Sequence, residues 1–236
     1  AEKGPAILFE KPVNPEGNIS PIPVLVNVFG TINRVALALN RSSNELRSLG
    51  ETLAFLKQPE PPDGWREAIS MLPLLKSVMS MKPSHTSKKA PSQAKVITDE
   101  NVNLFDLPIQ TCWPHEPSPL ITWPLVITKG IEDAFNIGIY RMQVLNKNMT
   151  IMRWLKHRGG AQHYEKWKKE FPKKPMPVAV VIGSDPATIL AAATPLFRAN
   201  LQSENSVERN KCAPKDFAYV WGLLPPQNAA LLISRL

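Results

Sequence analysis

The spacing of apolar residues changes near the middle of the chain, and this change restricts the possible folds more than any other feature. In residues 43–56 and 65–82, apolar residues recur every three to four positions, which is typical of amphipathic helices. After residue 120, the apolar segments are short, β-branched and bordered by Pro, Gly or Asn, which is typical of strands. The 24 prolines in 236 residues also interrupt the chain too often for an all-helical bundle. The sequence therefore predicts an α+β protein.

The first half begins with a predicted strand and a predicted helix. Segment 21–39, PIPVLVNVFGTINRVALAL, contains a β-branched run, a break at Gly30 and a second apolar run. We expect its helix to continue past Asn40 along an amphipathic face and to end at Pro59. That face consists of Leu46, Leu49, Leu53 and Leu56. Residues 65–82 repeat the pattern and predict a second helix.

A polar segment separates the two halves. Residues 83–103 are rich in Lys and Ser, and their first half shows no periodicity, which favours an exposed loop. We place a domain boundary there. The predicted organisation is a partial N-terminal α/β unit over residues 1–103 and a second domain over residues 104–236.

The second half is predicted to be mainly strands, with two helices. Three β-rich runs predict strands at 120–128, 136–145 and 149–155. A short helix follows Gly160 and ends at Pro172. A buried strand at 177–182 and a helix at 187–193 come next. Ser184 or Asp185 can cap that last helix, and Pro186 suits its first position.

The charge and the cysteines narrow the possible function classes only slightly. The 28 Lys and Arg against 20 Asp and Glu give a net charge of +8, which suits an anionic ligand, a nucleic acid or an acidic membrane surface. Nucleic-acid binding has only this charge in its favour, because the basic residues form no aromatic-interleaved motif. Cys112 and Cys212 lack metal-site spacing and fit a reducing compartment, so we expect a cytoplasmic protein. No apolar run is long enough to predict a membrane span.

Segment 136–160 places basic and amide side chains at high density in apolar β-type sequence. Because alternate residues of a strand share a face, Arg141 is predicted to lie beside Ile137 and Ile139. A buried guanidinium is costly unless it meets an anion or many acceptors. Two interpretations remain open: Arg141 binds an anionic ligand, or its side chain reaches solvent or an internal carboxylate.

The end of the same segment could bind a phosphate. Glycines let backbone N–H groups approach an anion, and a helix that follows them adds its N-terminal dipole, so Gly159–Gly160 is a candidate anion site. A plain turn is the alternative. Asn136 could ligate a hard cation through its amide oxygen or simply begin a strand as a turn residue. His157 and His163 are six positions apart, which does not suit two zinc ligands on one helix face.

Four segments between residues 108 and 195 make the sequence resemble the UbiD family of decarboxylases. In chain order they are PIQTCWPHEPSPLITWPLVIT, NIGIYRMQV, IMRWLKHRGGAQHY and VAVVIGSDPATILAAATP. The earlier segments GPAILFE, PVLVNVFGT, RVALAL and LPLLK are also similar to that family. The resemblance covers residues 4–200.

The resemblance implies a fold, an activity and partners. It implies a split β-barrel of the flavin-reductase type that binds prenylated FMN in a cleft, with the small α/β unit in front of it. It also implies Mn²⁺, a monovalent ion such as K⁺, and decarboxylation of 4-hydroxy-3-polyprenylbenzoate to 2-polyprenylphenol in ubiquinone biosynthesis. A flavin prenyltransferase of the UbiX type would supply the cofactor. A homo-oligomer, often a hexamer, and peripheral contact with the inner membrane are further implications.

The resemblance also implies which residues form the site. The implied cofactor-binding residues are Ile139, Tyr140, Arg141, Arg153, Trp154, Leu155, Arg158 and Gly159. Arg141 is the implied catalytic residue, beside the substrate carboxylate. The implied metal ligands are Asn136, His157 and, in place of the family's Glu, Asp216.

The sequence departs from the family pattern after about residue 196. Asp216 comes from KDFAYVWGLL, which stands where relatives have a motif like SEYAFAGLLR and needs one extra residue before Gly222. The VPA-x-x-E stretch that holds the family's proton donor does not occur in this sequence. We therefore expect an incomplete chain that is truncated or divergent after about residue 200. The alternative function is a non-catalytic flavin-binding or assembly module.

Overall fold

The structure is a computed structural model, and it describes residues 4–14, 16–57, 63–80, 95–131, 135–193 and 233–235. In chain order, the first elements are the strands β1 (Ile7–Phe9) and β2 (Val24–Val26), followed by the helices α1 (Ile32–Ala38), α2 (Glu45–Lys57) and α3 (Trp65–Ser80). β1 and β2 form an antiparallel pair. This α/β order agrees with the strand and helices predicted for the first half.

The prediction that the first helix continues past Asn40 is wrong. α1 ends at Ala38, and Asn40 has a φ of 53°, a left-handed conformation that Asn tolerates better than most residues. The Arg41 N–H then donates to the Ala36 carbonyl at 2.9 Å, which closes the helix end. α2 begins anew, and the Glu45 carboxylate at its start accepts hydrogen bonds from the Ser42 N–H and hydroxyl, both at 2.8 Å.

The second half contains two small antiparallel sheets. Its elements are the strands β3 (Leu120–Ile121), β4 (Leu125–Lys129), β5 (Phe135–Ile139), β6 (Met142–Asn146) and β7 (Met149–Met152), then α4 (Gly159–Glu170), β8 (Val178–Val181), α5 (Pro186–Ala193) and β9 (Ile233–Arg235). One sheet has the strand order β3-β6-β7, and the other has the order β5-β4-β8-β9. Helices and antiparallel sheets together make the α+β class that the sequence predicts.

Two of the predicted strands are each divided in the structure, so those predictions are wrong in extent. The predicted strand 120–128 is interrupted before Leu125, at Pro124, which has no N–H for a sheet ladder. The predicted strand 136–145 is divided at Tyr140 and Arg141, and its two parts belong to different sheets. The predicted strand 149–155 ends earlier, at Met152.

The later predictions agree with the structure. α4 begins at the glycine pair and ends at Glu170, two residues before Pro172. β8 lies within the predicted run 177–182. α5 begins at Pro186, and the Asp185 carboxylate caps it by accepting from the Thr188 N–H at 3.1 Å. Among the described residues, no helix is both long and apolar enough to cross a membrane.

The main hydrophobic core lies between the two sheets. Its buried members come from both sheets and from a short 3₁₀ turn, and they are Leu104, Ile121, Val126, Met142, Val144 and Val180. A second cluster crosses the predicted domain boundary, because Leu39 after α1 packs against Ala187 and Ala191 of α5. The division at residue 103 stays a prediction, with α1 and α2 packed on a helix of the second half.

Candidate functional site

The centre of the candidate site is a corner where the chain passes from one sheet to the other. β5 ends at Ile139, β6 begins at Met142, and Tyr140 and Arg141 form the connection. The Tyr140 ring folds back over its own strand, so that a Cβ at Gly138 would lie 2.8 Å from the ring. A Cβ at position 138 would therefore displace the Tyr140 ring from the position in which its hydroxyl accepts from Asn136 and Gly160.

The Tyr140 hydroxyl connects two parts of the predicted site. It accepts a hydrogen bond from the side-chain amide of Asn136 at 3.3 Å and another from the Gly160 N–H at 3.4 Å. Asn136 is only 6% exposed, and its cross-strand partner in β4 is Thr128. The amide nitrogen of Asn136 is thus engaged, and its amide oxygen is the atom that could ligate a cation.

The N-terminus of α4 is built to receive a negative charge. Gly159 and Gly160 are buried in its first turn, Arg158 precedes them without a side-chain capping bond, and the first turn contains no acidic residue. The first N–H groups of a helix lack partners within the helix and carry the positive end of its dipole. This arrangement supports the interpretation of Gly159–Gly160 as an anion site rather than a plain turn.

Trp154 packs against this helix end and against the corner. Its indole ring meets the Tyr140 ring edge-on at 6.1 Å and the Tyr164 ring at 6.0 Å. A Cβ at Gly160 would lie 2.9 Å from the indole, so this glycine admits the ring. The indole N–H is buried without a hydrogen-bond partner within the described residues, which is costly unless a ligand supplies an acceptor.

An apolar cavity of about 370 Å³ opens beside Trp154. Two sheets, α4 and the segment before β8 line it with Met142, Thr150, Met152, Trp154, Tyr164, Met176 and Val178. Methionine and aromatic side chains accommodate flat or flexible apolar groups well. The cavity therefore suits the apolar part of a ligand, and Trp154, which lines it, also packs against the start of α4.

The remaining predicted residues lie close to this group in sequence, and one expectation about them is wrong. Arg141 does not lie among apolar neighbours; it is exposed, because the strand ends two residues earlier and the chain turns. Ile139 is half-buried at the end of β5. Exposed side chains next in sequence to the buried group are those of Arg153, Leu155, His157 and Arg158.

The described residues of this region suit a phosphate-bearing aromatic ligand. An uncapped helix start, an unpartnered indole N–H and an apolar cavity are together what a phosphate-bearing aromatic cofactor needs. Within the described ranges, no group of three or more His, Cys, Asp or Glu side chains could hold a metal ion. Asn136 and His157 are described, and the third predicted ligand, Asp216, lies outside the described residues.

Sequence reasoning missed one buried polar pair in this region. The Thr128 hydroxyl and the His163 Nδ1 lie 2.9 Å apart, and both side chains are buried. A threonine inside an apolar strand and a histidine one turn after a glycine pair were the available signals. The two residues are 35 positions apart, so only the fold brings them together.

In a comparison with known proteins, models of two protein domains match the chain. The 3-octaprenyl-4-hydroxybenzoate carboxy-lyase Rift-related domain, UbiD, matches residues 84–204, which is more than half of the chain. The N-terminal domain of the same carboxy-lyase matches residues 1–53. The matches thus cover the whole corner, α4 and the strand pair β1 and β2.

Solved structures of similar fold agree with these matches. Vanillic acid decarboxylase of Sedimentibacter hydroxybenzoicus, in its closed form, is 26% identical with a TM-score of 0.62 over 93% of this chain. An evolved dimeric form of the UbiD-class enzyme HmfF from Pelotomaculum thermopropionicum, in complex with prFMN, is 21% identical with a TM-score of 0.57 over 88%. Apo 3,4-dihydroxybenzoic acid decarboxylase of Klebsiella pneumoniae is 20% identical with a TM-score of 0.61 over 93%. This chain spans 39%, 40% and 38% of those chains, respectively.

Proposed function

The chain belongs to the UbiD family of decarboxylases, and on that premise we propose that it forms the cofactor-binding part of a prenylated-FMN-dependent decarboxylase of aromatic acids. The observation that carries the proposal is the Tyr140 hydroxyl, which joins Asn136 to the first turn of α4. One ligand is proposed to contact the Asn136 amide oxygen, the start of α4 and the apolar cavity beside Trp154. Such a ligand combines a phosphate, a flat ring and an associated cation.

The proposed site assigns separate roles to the residues around the corner. The N–H group of Gly159, at the start of α4, binds the cofactor phosphate, with Arg153 and Arg158 adding positive charge nearby. Tyr140 and Trp154 hold the ring system, and Ile139 and Leu155 supply apolar contacts. Asn136 and His157 hold Mn²⁺ together with Asp216, and K⁺ accompanies that metal.

Arg141 is the residue proposed to handle the substrate. Its position after Tyr140 places a guanidinium at the corner, where it can orient the substrate carboxylate through a bidentate, charge-assisted contact. When bound, prenylated FMN supplies the electron sink that accepts density as the carboxylate leaves. Carbon dioxide is uncharged, so the contact with Arg141 weakens as the bond breaks, and release into the cavity becomes favourable.

The proposed substrate is 4-hydroxy-3-polyprenylbenzoate, which would give 2-polyprenylphenol in ubiquinone biosynthesis. The family description names a 3-octaprenyl-4-hydroxybenzoate, and the Klebsiella enzyme is named for 3,4-dihydroxybenzoate. Both names describe a benzoate with a hydroxyl at position 4 and a substituent at position 3. We therefore propose 4-hydroxybenzoates as the substrate class and, more specifically, a 4-hydroxybenzoate with a polyprenyl group at position 3.

The proposal extends to the barrel, the partners and the location. A split β-barrel of the flavin-reductase type is supported by the two sheets that meet at the Tyr140 corner and enclose one core. A flavin prenyltransferase of the UbiX type would supply the cofactor, and a homo-oligomer is supported by the dimeric form named for one relative. A lipid-tailed substrate would bring a cytoplasmic protein into peripheral contact with the inner membrane.

Anaerobic reconstitution tests the proposal directly. The purified chain is incubated with prenylated FMN and Mn²⁺, passed through a desalting column, and measured for flavin absorbance and for release of carbon dioxide from 4-hydroxy-3-prenylbenzoate. Bound flavin with carbon dioxide release is the expected result. Bound flavin without release, unrepaired by adding the downstream sequence of a relative, would favour the alternative of a flavin-binding or assembly module. A folded chain that takes up no flavin would contradict both.

Variants at position 141 test the role of the guanidinium. Arg141→Ala should leave flavin bound and lower carbon dioxide release at low substrate concentration on the order of 10²-fold, because the carboxylate loses the charged partner that binds and orients it. Arg141→Lys is the matched control: it keeps the charge but not the bidentate geometry, and we expect an intermediate rate. Rates of Arg141→Ala close to those of the unchanged protein would exclude the proposed carboxylate contact.

A further inference from the structure

A buried polar contact connects the central strand β4 to helix α4. The Thr128 hydroxyl and the Nδ1 atom of His163 are 2.9 Å apart. Thr128 is 0% exposed and His163 is 4% exposed, so water does not compete for this hydrogen bond. Buried polar side chains carry a desolvation cost that apolar residues of similar size would avoid.

The contact lies immediately behind the candidate site. Thr128 and Asn136 are register partners in β4 and β5, so their side chains emerge on the same face of the sheet. His163 follows Gly160 by three residues in α4, a spacing that places the two residues on one face of the helix. The pair is thus one strand away from Asn136 and one helical turn away from Gly160.

Two polar connections therefore hold the same helix to the same sheet. One runs from Asn136 through the Tyr140 hydroxyl to the Gly160 N–H, and the other is the Thr128 and His163 contact. Hydrogen bonds are directional and weaken steeply when donor and acceptor move out of line, whereas apolar packing tolerates small sliding movements. Two such connections, one turn apart, can limit both sliding and rotation of the first turn of α4.

We propose that Thr128 and His163 form a positioning pair that sets the distance between Asn136 and the Gly159–Gly160 end of α4, and so preorganises the site for its anionic cofactor. The identity of that cofactor rests on the proposed function. Neither residue touches the ligand in this proposal. Their effect is carried through β5 on one side and through the first turn of α4 on the other.

The test uses FMN as the probe and three threonine variants of the purified chain. Thr128→Val keeps the shape and removes the hydroxyl, and Thr128→Ser restores a hydroxyl. Thr188→Val is the matched control, because Thr188 is also buried and its hydroxyl also donates a hydrogen bond, to Asp185 beside α5 rather than to α4. For each variant, the FMN dissociation constant is measured by fluorescence quenching, and the unfolding midpoint is measured in urea.

We expect Thr128→Val to weaken FMN binding about tenfold, since one net hydrogen bond corresponds to about one decade in affinity. Thr128→Ser should stay within about threefold of the unchanged chain by the same conversion. Thr188→Val should lower the urea midpoint as Thr128→Val does but leave the FMN dissociation constant unchanged. Equal loss of FMN affinity in Thr128→Val and Thr188→Val, or no loss in either, would overturn the proposal.

Hydrogen exchange separates this inference from the proposed function. In the ligand-free chain, the amides of residues 159–163 should exchange faster in Thr128→Val than in Thr188→Val or the unchanged chain, because the first turn of α4 is released. If the unchanged chain binds no FMN, the proposed function is wrong. The positioning role of Thr128 and His163 is then tested by amide hydrogen exchange alone. Unchanged exchange at 159–163 in Thr128→Val would then reject the pair as a positioning device.

Discussion

The regions before residue 58 and after residue 94 differ sharply in how they bury apolar side chains. Among the described residues up to 57, the buried ones are Ala36 and Leu39. All three residues of β1 are exposed, including Leu8 at 54% and Phe9 at 49%. In the later region, by contrast, Val126 and Val144 are completely buried between two sheets. Among the described residues of these two regions, a core formed by a region's own elements occurs only in the later one.

Burial in the early region depends on contacts with the later region. Leu39 packs against Ala187 and Ala191 of α5, and half-buried leucines of α2 join the same cluster. The early helices thus obtain their burial from a helix that belongs to the later region. The candidate site and the core between the two sheets both lie in the later region, and the early helices pack against its helix α5.

A pair of matched leucine substitutions tests whether the later region buries its apolar side chains more completely than the early region. Leu125→Ala in β4 removes a side chain that is 1% exposed, and we expect it to lower the free energy of unfolding by about 2 to 5 kcal/mol. Leu25→Ala in β2 removes the same atoms from a side chain that is 53% exposed, and its effect should stay within about 0.5 kcal/mol. Urea denaturation followed by circular dichroism measures both.

Equal losses for the two leucines would show that the β1 and β2 pair is covered by a further part of the protein. In that case Leu25 would belong to a core, and the residues that bury it would lie outside the described ranges. A small loss for Leu125→Ala alone would contradict the two-sheet core itself. The slope of the transition with urea should be unchanged in both variants, since neither alters the extent of unfolding.

The sequence predicts elements well where local chemistry sets their ends. The start of α5 follows from Asp185 and Pro186, and the end of α4 follows from Pro172, because capping and the missing proline N–H act over a few residues. The corner at Tyr140 and Arg141 has no such local signal. Its β-type residues continue the alternating pattern through the bend, so one predicted strand became two strands in different sheets.

The same distinction applies to the candidate site. Resemblance and residue type together selected Asn136, Tyr140 and Trp154, and the structure connects these residues through hydrogen bonds and ring contacts. The roles assigned to them stay predictions. The sequence could not predict that Arg141 is exposed or that Thr128 meets His163, because both follow from how distant strands and helices pack.

A second pair of matched substitutions, at one glycine of α4 and one of α2, tests the difference between the two regions at the candidate site. A Cβ at Gly160 in α4 would lie 2.9 Å from the Trp154 ring, so Gly160→Ala should cost roughly 1 to 3 kcal/mol of unfolding free energy through overpacking. Gly50 in α2 has no such neighbour within 4 Å, so Gly50→Ala should stabilise the chain by about 0.5 to 1 kcal/mol. The same substitution is thus expected to have opposite signs in the two regions.

Tryptophan fluorescence and FMN binding distinguish the cause of the Gly160→Ala effect. If the indole is displaced, the emission maximum should shift, and FMN affinity should fall together with stability. Gly50→Ala should change neither quantity. A stabilising Gly160→Ala substitution would mean that the ring of Trp154 moves aside without cost, and the tight contact between the tryptophan and α4 would not be a constraint on the site.

The smallest expected effect is a pH dependence confined to the early region. The pKa of the Glu45 carboxyl is held below its ordinary value of 4.5, mainly by the hydrogen bond from the Ser42 N–H and next by the one from the Ser42 hydroxyl. Burial opposes this lowering, and the charge of Arg41 adds to it. Because the pKa is lower in the folded chain, the carboxylate stabilises the start of α2 above pH 4.5. That stabilisation is lost as the pH falls through the lower, folded-state pKa.

Titration of Glu45 by NMR checks this prediction, and Ser42→Ala is its control. The substitution removes the hydroxyl donor but keeps the backbone N–H, so the pKa should rise only part of the way toward its ordinary value, since the backbone bond is the larger cause. Glu45→Gln should abolish the local pH dependence of α2 while the later region, with its core between two sheets, responds to neither substitution. A folded-state pKa at or above the ordinary value would mean that the turn at Asn40 does not hold Ser42 against Glu45. The start of α2 would then depend on its packing against α5 alone.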